Sequence, residues 1–514
     1  MRRSLIVFIT FVAAGAFAFI ILRSNDVAPR KKDRPGPAPS GELSIAYPEE
    51  PATLNPYLFE GDTNATRDLV RPLLPTLLTI QPDLTYRPGL AVRVPRAADL
   101  SKDPFSITFN LDPKADWSDG TPITAADVRF TWEVIKDTAF PIADRSGYDR
   151  LTDVEVLGAH RLRLVFDRPF ASWRDLFSAG DFILPKHALT GKDFTNALSD
   201  QMPVSGGPYL LESWTKGLEI VYAANSKWWG KAARTKRVHV LFVPDTEIAL
   251  RLLGNGRLNA IVTTTRLNLE ARAGGVSNAK VASRFGSSWW ELALNHSAPP
   301  IVNPGAREAI ARSIDRVGIA EAFIRGDGRK LQHLSPGRTV AGEFSTYTKD
   351  TAGAKRVAGK PGKLILIAPA ENSLAGILTR SIQKGLRDTG FEVEIRAPQG
   401  TDLYATWRRE GRFDIALWER RGTGSMSLRG AYGSVFGAPK GVNYSHLKSP
   451  EVDAALDAAD ATLTIDPLMK QLGRAIPALP IFESKMYWIS RGLSGATPNA
   501  SIDGPFWNLG EVSG

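Results

Sequence analysis

The sequence has no cysteine at all. That absence excludes a disulfide framework, a thiolate zinc or iron–sulfur centre, a cysteine nucleophile, a redox pair and a lipid-modified N-terminal Cys. Histidine is scarce, and His160, His187, His239, His296, His333 and His446 lie far apart. They form no i, i+3 or i, i+4 pair that could hold a metal from one helix face. H-E-x-x-H, a Walker A loop, a G-x-S-x-G elbow and the kinase set are all missing. S-x-x-K occurs four times, first at Ser213 and Lys216, without S-D-N or K-T-G beside it. A carboxylate pair meeting across space stays open, because the separation that matters there is three-dimensional. The expectation is a protein that is not an enzyme and uses no cofactor or metal.

Charge of one sign is nearly lacking once the chain is divided. Residues 1–40 hold seven Lys and Arg against two Asp, leaving 57 basic against 52 acidic residues for the rest, so half of the formal +10 sits at the N-terminus. A body so close to neutral gives no reason to infer a nucleic-acid partner. With 43% hydrophobic and 23% charged residues the chain is not disordered, collagenous or multi-span, and its length suits two to four domains.

Leu5 to Leu22 form an uncharged run after Arg2 and Arg3. As a helix the run reaches about 27 Å, barely a bilayer core. An uncleaved anchor is favoured over a cleaved signal peptide, since cutting after Ala16-Phe17-Ala18 would leave Phe19-Ile20-Ile21-Leu22 at the new terminus. Basic residues flank the run on both sides, so orientation stays open. Residues 23–40 carry Pro29, Pro35, Pro37 and Pro39 among polar residues and read as a tether, basic enough to meet anionic lipid.

From Gly41 onward α and β patterns mix. RLRLVF at Arg161, RVHVLF at Arg237 and FEVEIR at Phe391 alternate as half-buried strands. Helices are expected over Thr124–Asp137, with Thr124 as N-cap and Asp127 three residues on, and over Gly305–Ile324. Lys363 to Trp418 reads strand, helix, strand, short helix near Asp402 to Arg409, strand, which predicts parallel strands with right-handed crossovers. Ligands collect beyond the carboxyl ends of such strands, which points to Glu371, Asn372, Gln399, Trp418, Glu419 and Arg420. Trp117, Trp228, Trp229, Trp289, Trp290, Trp407 and Trp418 fall outside obvious core periods, and as a group suggest a partly aromatic cleft.

The motif WSDGTPITAADV at Trp117–Val128 strongly resembles the signature of family 5 extracellular solute-binding proteins, the peptide, dipeptide and nickel receptors of ABC importers. Others follow in the family's order: PATLNPY from Pro51, SGGPYLLESW from Ser205, NSKWWG from Asn225, ELALNHSAPPIVNPGAREAIARSIDR from Glu291, LKSPEVDAALDAA from Leu447 and ALPIF from Ala478. These runs are rich in turn and capping residues and read as scaffold, so they identify a fold more than a ligand.

The resemblance implies an α/β fold of the two-lobed periplasmic-binding-protein-like type II class, closing by a hinge around the ligand, with an extra small domain in the first lobe. Residues 41–75 with 188–295 and 475–514 would form lobe I, 76–187 the small domain and 296–474 lobe II. Hinge crossings are expected near Asn295–Pro304 and Ala475–Phe482. The implied partners are an oligopeptide or related small polar solute, with a nickel chelate still open, the permease subunits, and the membrane through the N-terminal helix of a monomer on the extracytoplasmic face. A surface sensor of the same fold is the alternative.

Two features depart from the family. Its peptide receptors carry an Asp, in a W-x-x-D context, that binds the peptide ammonium, whereas Trp418-Glu419-Arg420-Arg421-Gly422-Thr423-Gly424 has none. Either Glu419 substitutes or the ligand lacks a free amine, and Arg420 and Arg421 favour an anionic or carboxylate-bearing ligand. The stretch from Asp453 to Ile481 is also short. The expected ligand-binding residues are Trp290, Asn295, Tyr404, Trp407, Trp418, Glu419 and Arg420.

Overall fold

The computed structural model describes residues 41–514 apart from 325–327, 332–333, 335–343, 345–346, 371, 399–402, 423 and 439. The expected anchor and tether, and with them His333, Glu371 and Gln399, lie outside the described residues.

Strand-forming runs assemble into one mixed sheet whose eleven described strands follow the chain as β1 (Glu42–Tyr47), β2 (Tyr209–Thr215), β3 (Glu219–Ala224), β4 (Arg237–Phe242), β5 (Ala260–Thr264), β6 (Lys280–Leu294), β7 (Gly328–Lys330), β8 (Lys363–Ile367), β9 (Glu392–Arg396), β10 (Ile415–Arg421) and β11 (Ala478–Ser490). The spatial order is β9-β8-β10-β6-β11-β5-β1-β4-β3-β2, with β7 against β11. Strand β8 pairs in parallel with both β9 and β10, as the β-α-β-α-β pattern predicts. The intervening helix, Ser373–Asp388, buries Leu374, Leu378 and Ile382, and Asn372 caps it by accepting from the amides of Leu374 and Ala375. Asn372 is therefore occupied as a cap.

Two long strands, β6 and β11, join the two halves of the sheet. One apolar core gathers residues from Leu43 to Val262 together with Met486, Trp488 and the C-terminal segment, and the other runs mainly from Trp290 to Phe482. The chain thus passes between cores within β6 and β11, where their pairing shifts register between Phe285 and Trp289. Gly286 sits in that shift because a Cβ would lie 2.7 Å from the Ala500 carbonyl carbon. The passage falls inside these strands, ahead of Asn295 in β6 and after Phe482 in β11.

A separate four-stranded antiparallel sheet (Leu100–Lys102, Phe105–Asn110, Arg161–Phe166 and Leu151–Gly158) carries the helix Ala125–Lys136. Thr124 caps that helix by a reciprocal box with Asp127: the Thr124 amide donates to Asp127 Oδ2 at 2.8 Å. Two of the motif runs also tie to each other. The Ser118 amide donates to the Ser205 carbonyl at 2.7 Å, and the Ser205 amide donates back to Ser118 Oγ at 3.0 Å. Gly207 has no room for a Cβ, which would fall 2.3 Å from the Pro72 carbonyl oxygen. The motifs are scaffold, as their turn chemistry implies.

One expected helix is broken. The pattern over Gly305–Ile324 folds as Pro304–Ser313 and then as the turns Arg316–Ile319 and Ala320–Ile324, because Ile314 is extended and Asp315 starts a new turn by accepting from the Gly318 amide. The short helix expected near Asp402 to Arg409 is present as a single π-helical turn over Leu403–Trp407.

Candidate functional site

The carboxyl ends of β1 and β5, parallel to each other, and of β10, parallel to β8, converge on a partly open cavity of about 130 Å³ between the two cores. Strand β1 leads into Tyr47 and Glu49, the loop before the helix Asn64–Val70 brings Asp62 and the helix itself Arg67, and β5 runs into Thr264 and Arg266. Asp144 and Asp181 close one side, and the second core supplies Arg408, Tyr444 and the end of β10, Trp418 to Arg421. Parallel strands leave their side chains and backbone ends at this edge without a following hairpin, which is why a cleft forms here.

Three carboxylates organise the wall. Glu291, buried on β6, accepts from Trp289 Nε1 at 2.8 Å, Trp418 Nε1 at 3.0 Å, Arg420 Nε at 3.0 Å and the Tyr432 hydroxyl at 3.3 Å. Burial alone would lower the Arg420 guanidinium, and the Glu291 charge raises it above its ordinary range instead. Asp68 receives both Nη atoms of Arg421, at 2.5 and 3.3 Å, and the Tyr47 hydroxyl at 2.7 Å. Asp62 joins the cores by accepting from Arg67 at 2.6 Å, Arg408 at 3.1 Å and Tyr444 at 3.2 Å. Burial would raise Asp62, but Arg67 and Arg408 hold it below the usual carboxylate range.

Asp181 has weaker support: burial pushes it up to about 7 against the pull of Arg67, while the Tyr148 hydroxyl donates to it at 3.0 Å. With a folded value near 7 against an ordinary 3.8, the folded chain binds a proton more readily than the unfolded one between about pH 4 and 7. Stability therefore declines as pH rises through that window. An Asp181→Asn variant, which cannot ionise, is expected to gain on the parent from about pH 4 up to about pH 7 and to hold a constant lead above it. Urea midpoints measured at several pH values check this. A lead that does not grow with pH would disprove it.

The expected residues divide. Trp418, Glu419 and Arg420 stand on the cavity wall. Trp290 pairs across strands with Glu419 but is fully buried, stacked on Phe482 with ring centroids 6.3 Å apart. Asn295 is buried too: its Nδ2 donates to the carbonyls of Gly411 and Phe413 and its Oδ1 accepts from Ser297, so it fastens the end of β6 to the loop before β10. Trp407 lies under the Arg396 guanidinium, 5.6 Å from its centroid, and Tyr404 sits on the same turn. Trp407 is not on the described cavity wall.

Two expectations change. Trp117, Trp289 and Trp290 pack as core, and Trp228 and Trp229 pack on each other, so Trp418 alone of the seven singled-out tryptophans faces the cavity among the described residues. Arg420 and Arg421 are neutralised by Glu291 and Asp68, which removes them as the groups that would draw an anion. Sequence reasoning missed Glu291, Asp68 and Asp62, whose partners on the second half of the chain lie 127 to 382 residues away, and Arg266, whose bonds to Thr264 and Thr265 are local.

The sequence model described as "Bacterial extracellular solute-binding proteins, family 5 Middle" matches residues 80–440. The chain is a family 5 solute-binding protein. The binding protein is 26% identical to the oligopeptide-binding protein OppA of Mycobacterium tuberculosis over 459 residues, 82% of this chain and 75% of that one. Its fold matches AppA from Bacillus subtilis, solved with a nonapeptide, with a TM-score of 0.81 at 17% identity, covering 93% of this chain and 99% of that one. It also matches NikZ from Campylobacter jejuni, solved with Ni(L-His), with a TM-score of 0.80 at 19% identity, covering 93% and 100%. These relatives are binding proteins rather than enzymes, and the fold is the two-lobed type II class. Among the described residues of the binding protein no helix is long and apolar enough to cross a membrane, and no three His, Asp or Glu side chains are grouped to hold a metal.

Proposed function

We propose that the binding protein captures an oligopeptide or similar polar solute between its lobes and hands it to the permease subunits of an ABC importer. It would act as a monomer without catalysis, cofactor or nucleic acid, held at the extracytoplasmic face by the helix over Leu5–Leu22. The observation that carries the solute reading is Glu419. Its Oε2 accepts from the Thr264 hydroxyl at 2.7 Å, while Oε1 is buried on the cavity wall without a hydrogen-bond partner. An unpartnered buried carboxylate oxygen is costly unless a donor arrives. A ligand ammonium is such a donor; Arg421 holds the Asp position of W-x-x-D, and Glu419, two residues before it and flanked by Trp418 and Arg420, would substitute for that Asp.

Native mass spectrometry of the purified chain tests this, followed by titration of tryptophan emission with whatever co-purifies. A bound peptide or other small polar amine that shifts the Trp418 signal is the expected result. An empty protein, silent to peptide, sugar and chelate panels, would overturn the reading.

Closure has its own contacts. Arg150 pairs with Asp457, and Arg429 pairs with Asp149 at 3.0 Å and Asp460 at 3.0 Å, joining the small domain to the helix Pro450–Thr462 of the second core. Arg429→Leu is expected to favour the open form, weakening ligand affinity by about tenfold for the loss of roughly 1.5 kcal/mol of charged hydrogen bonding. Small-angle scattering should show a larger ligand-free radius. An unchanged radius and affinity would show that the network does not act in closure.

A further inference from the structure

Five arginines stand on the cavity wall among the described residues: Arg67, Arg266, Arg408, Arg420 and Arg421. Four are ion-paired with carboxylates: Arg67 and Arg408 share Asp62, Arg420 pairs with Glu291 and Arg421 with Asp68. Arg266 differs. It is 6% exposed, and its Nη1 donates only to neutral oxygens, the Thr264 hydroxyl at 2.8 Å and the Thr265 carbonyl at 3.1 Å. A buried guanidinium supported only by neutral acceptors has capacity for an anion.

The same Thr264 hydroxyl that accepts from Arg266 donates to Glu419. One hydroxyl therefore bridges the guanidinium whose bonds go only to neutral oxygens and the carboxylate with an unpartnered oxygen. Through bonds of 2.7 and 2.8 Å, the bonded atoms Arg266 Nη1 and Glu419 Oε2 can be no further apart than those two lengths together. A ligand that satisfies both must carry its ammonium and its carboxylate close together. In an α-amino acid both groups sit on one carbon, whereas each added peptide residue moves the carboxylate about 3.5 Å further from the ammonium along an extended chain.

We infer that Glu419, Thr264 and Arg266 form a receptor for the zwitterionic head of a single α-amino-acid unit, so that the solute is a free amino acid or a conjugate that keeps its α-ammonium and α-carboxylate. This rests on the solute-binding reading above and narrows it away from linear peptides, whose two ends are separated. Glu419 takes the ammonium through Oε1 and Arg266 takes the carboxylate, while Thr264 holds both side chains at fixed spacing.

The test titrates the full chain, freed of bound solute, with four probe pools while tryptophan emission is followed. The pools are the twenty free L-amino acids, their Nα-acetyl derivatives, their carboxamides, and mixed tri- to pentapeptides. The expected result is saturable binding of free amino acids, with acetylation and amidation each weakening it by about 10- to 150-fold, the worth of one charged hydrogen bond. Glu419→Gln should abolish the penalty for acetylation and leave that for amidation, and Arg266→Gln should do the reverse. Arg266→Lys, which keeps the charge, should retain the amidation penalty and controls for a merely structural role. Peptides binding while free amino acids do not would overturn the inference and leave the receptor reading standing. Silence with all four pools would overturn both.

Discussion

Glu291→Leu is expected to destabilise the folded chain by about 3–5 kcal/mol, the cost of removing one partner from a buried ion pair. The side chain is 1% exposed, and its loss strands the Arg420 guanidinium on the cavity wall. It also orphans the indole donors of Trp289 and Trp418 and the Tyr432 hydroxyl, three buried polar groups. The effect is large because the carboxylate is shared by groups from β6, β10 and the helix Gly424–Tyr432. Glu291→Gln keeps an acceptor and should lose less. Urea unfolding followed by tryptophan emission measures both. A leucine variant within 1 kcal/mol of the parent would show that Arg420 finds another anion.

Arg421→Met is the second large effect, again about 3–5 kcal/mol. Arg421 and Asp68 have side-chain exposures of 2% and 0%, and they connect the end of β10 in the second core to the helix Asn64–Val70 in the first. Burial would lower the guanidinium, and Asp68 raises it above its ordinary range. The pair is boxed in by Gly504, whose φ is +68° and whose added Cβ would meet Asp68 Oδ1 at 1.9 Å. Gly504→Ala should therefore reproduce much of the Arg421→Met loss by displacing Asp68 and straining the left-handed backbone. Thermal melts of the two variants and their double mutant decide this: the double mutant should lose clearly less than the two single losses combined, since both act on one pair. Additive losses would mean that Gly504 acts elsewhere.

The two variants also bear on closure. Arg421 and Asp68 lie between cores, so a ligand that closes the cleft should raise the melting temperature of Arg421→Met by less than that of the parent.

Much of the architecture was legible because it is local. The capping box of Thr124 and Asp127, the alternating runs at Arg161 and Arg237, and the strand-helix-strand order from Lys363 follow from spacing within a few residues, and all stand in the structure. Helix Pro304–Ser313 ended earlier than its apolar period suggested because the backbone at Ile314 and the cap at Asp315 override a continued stripe. Trp418, Glu419 and Arg420 were legible as site candidates through topology alone, since a parallel strand's carboxyl end is predictable without side-chain contacts.

The remaining features depended on partners distant in sequence. The sequence by itself determined the secondary elements, the parallel unit, the motif loops and the family. Only the tertiary structure decided that Trp290 and Asn295 are packing and tethering groups, that Arg420 and Arg421 are neutralised, and that Glu419 and Arg266 share Thr264. The physical reason is that a charge's role depends on which opposite charge lies within a few ångströms. Here that neighbour is 129 residues away for Arg420 and 353 for Arg421, a distance along the chain that no local period encodes.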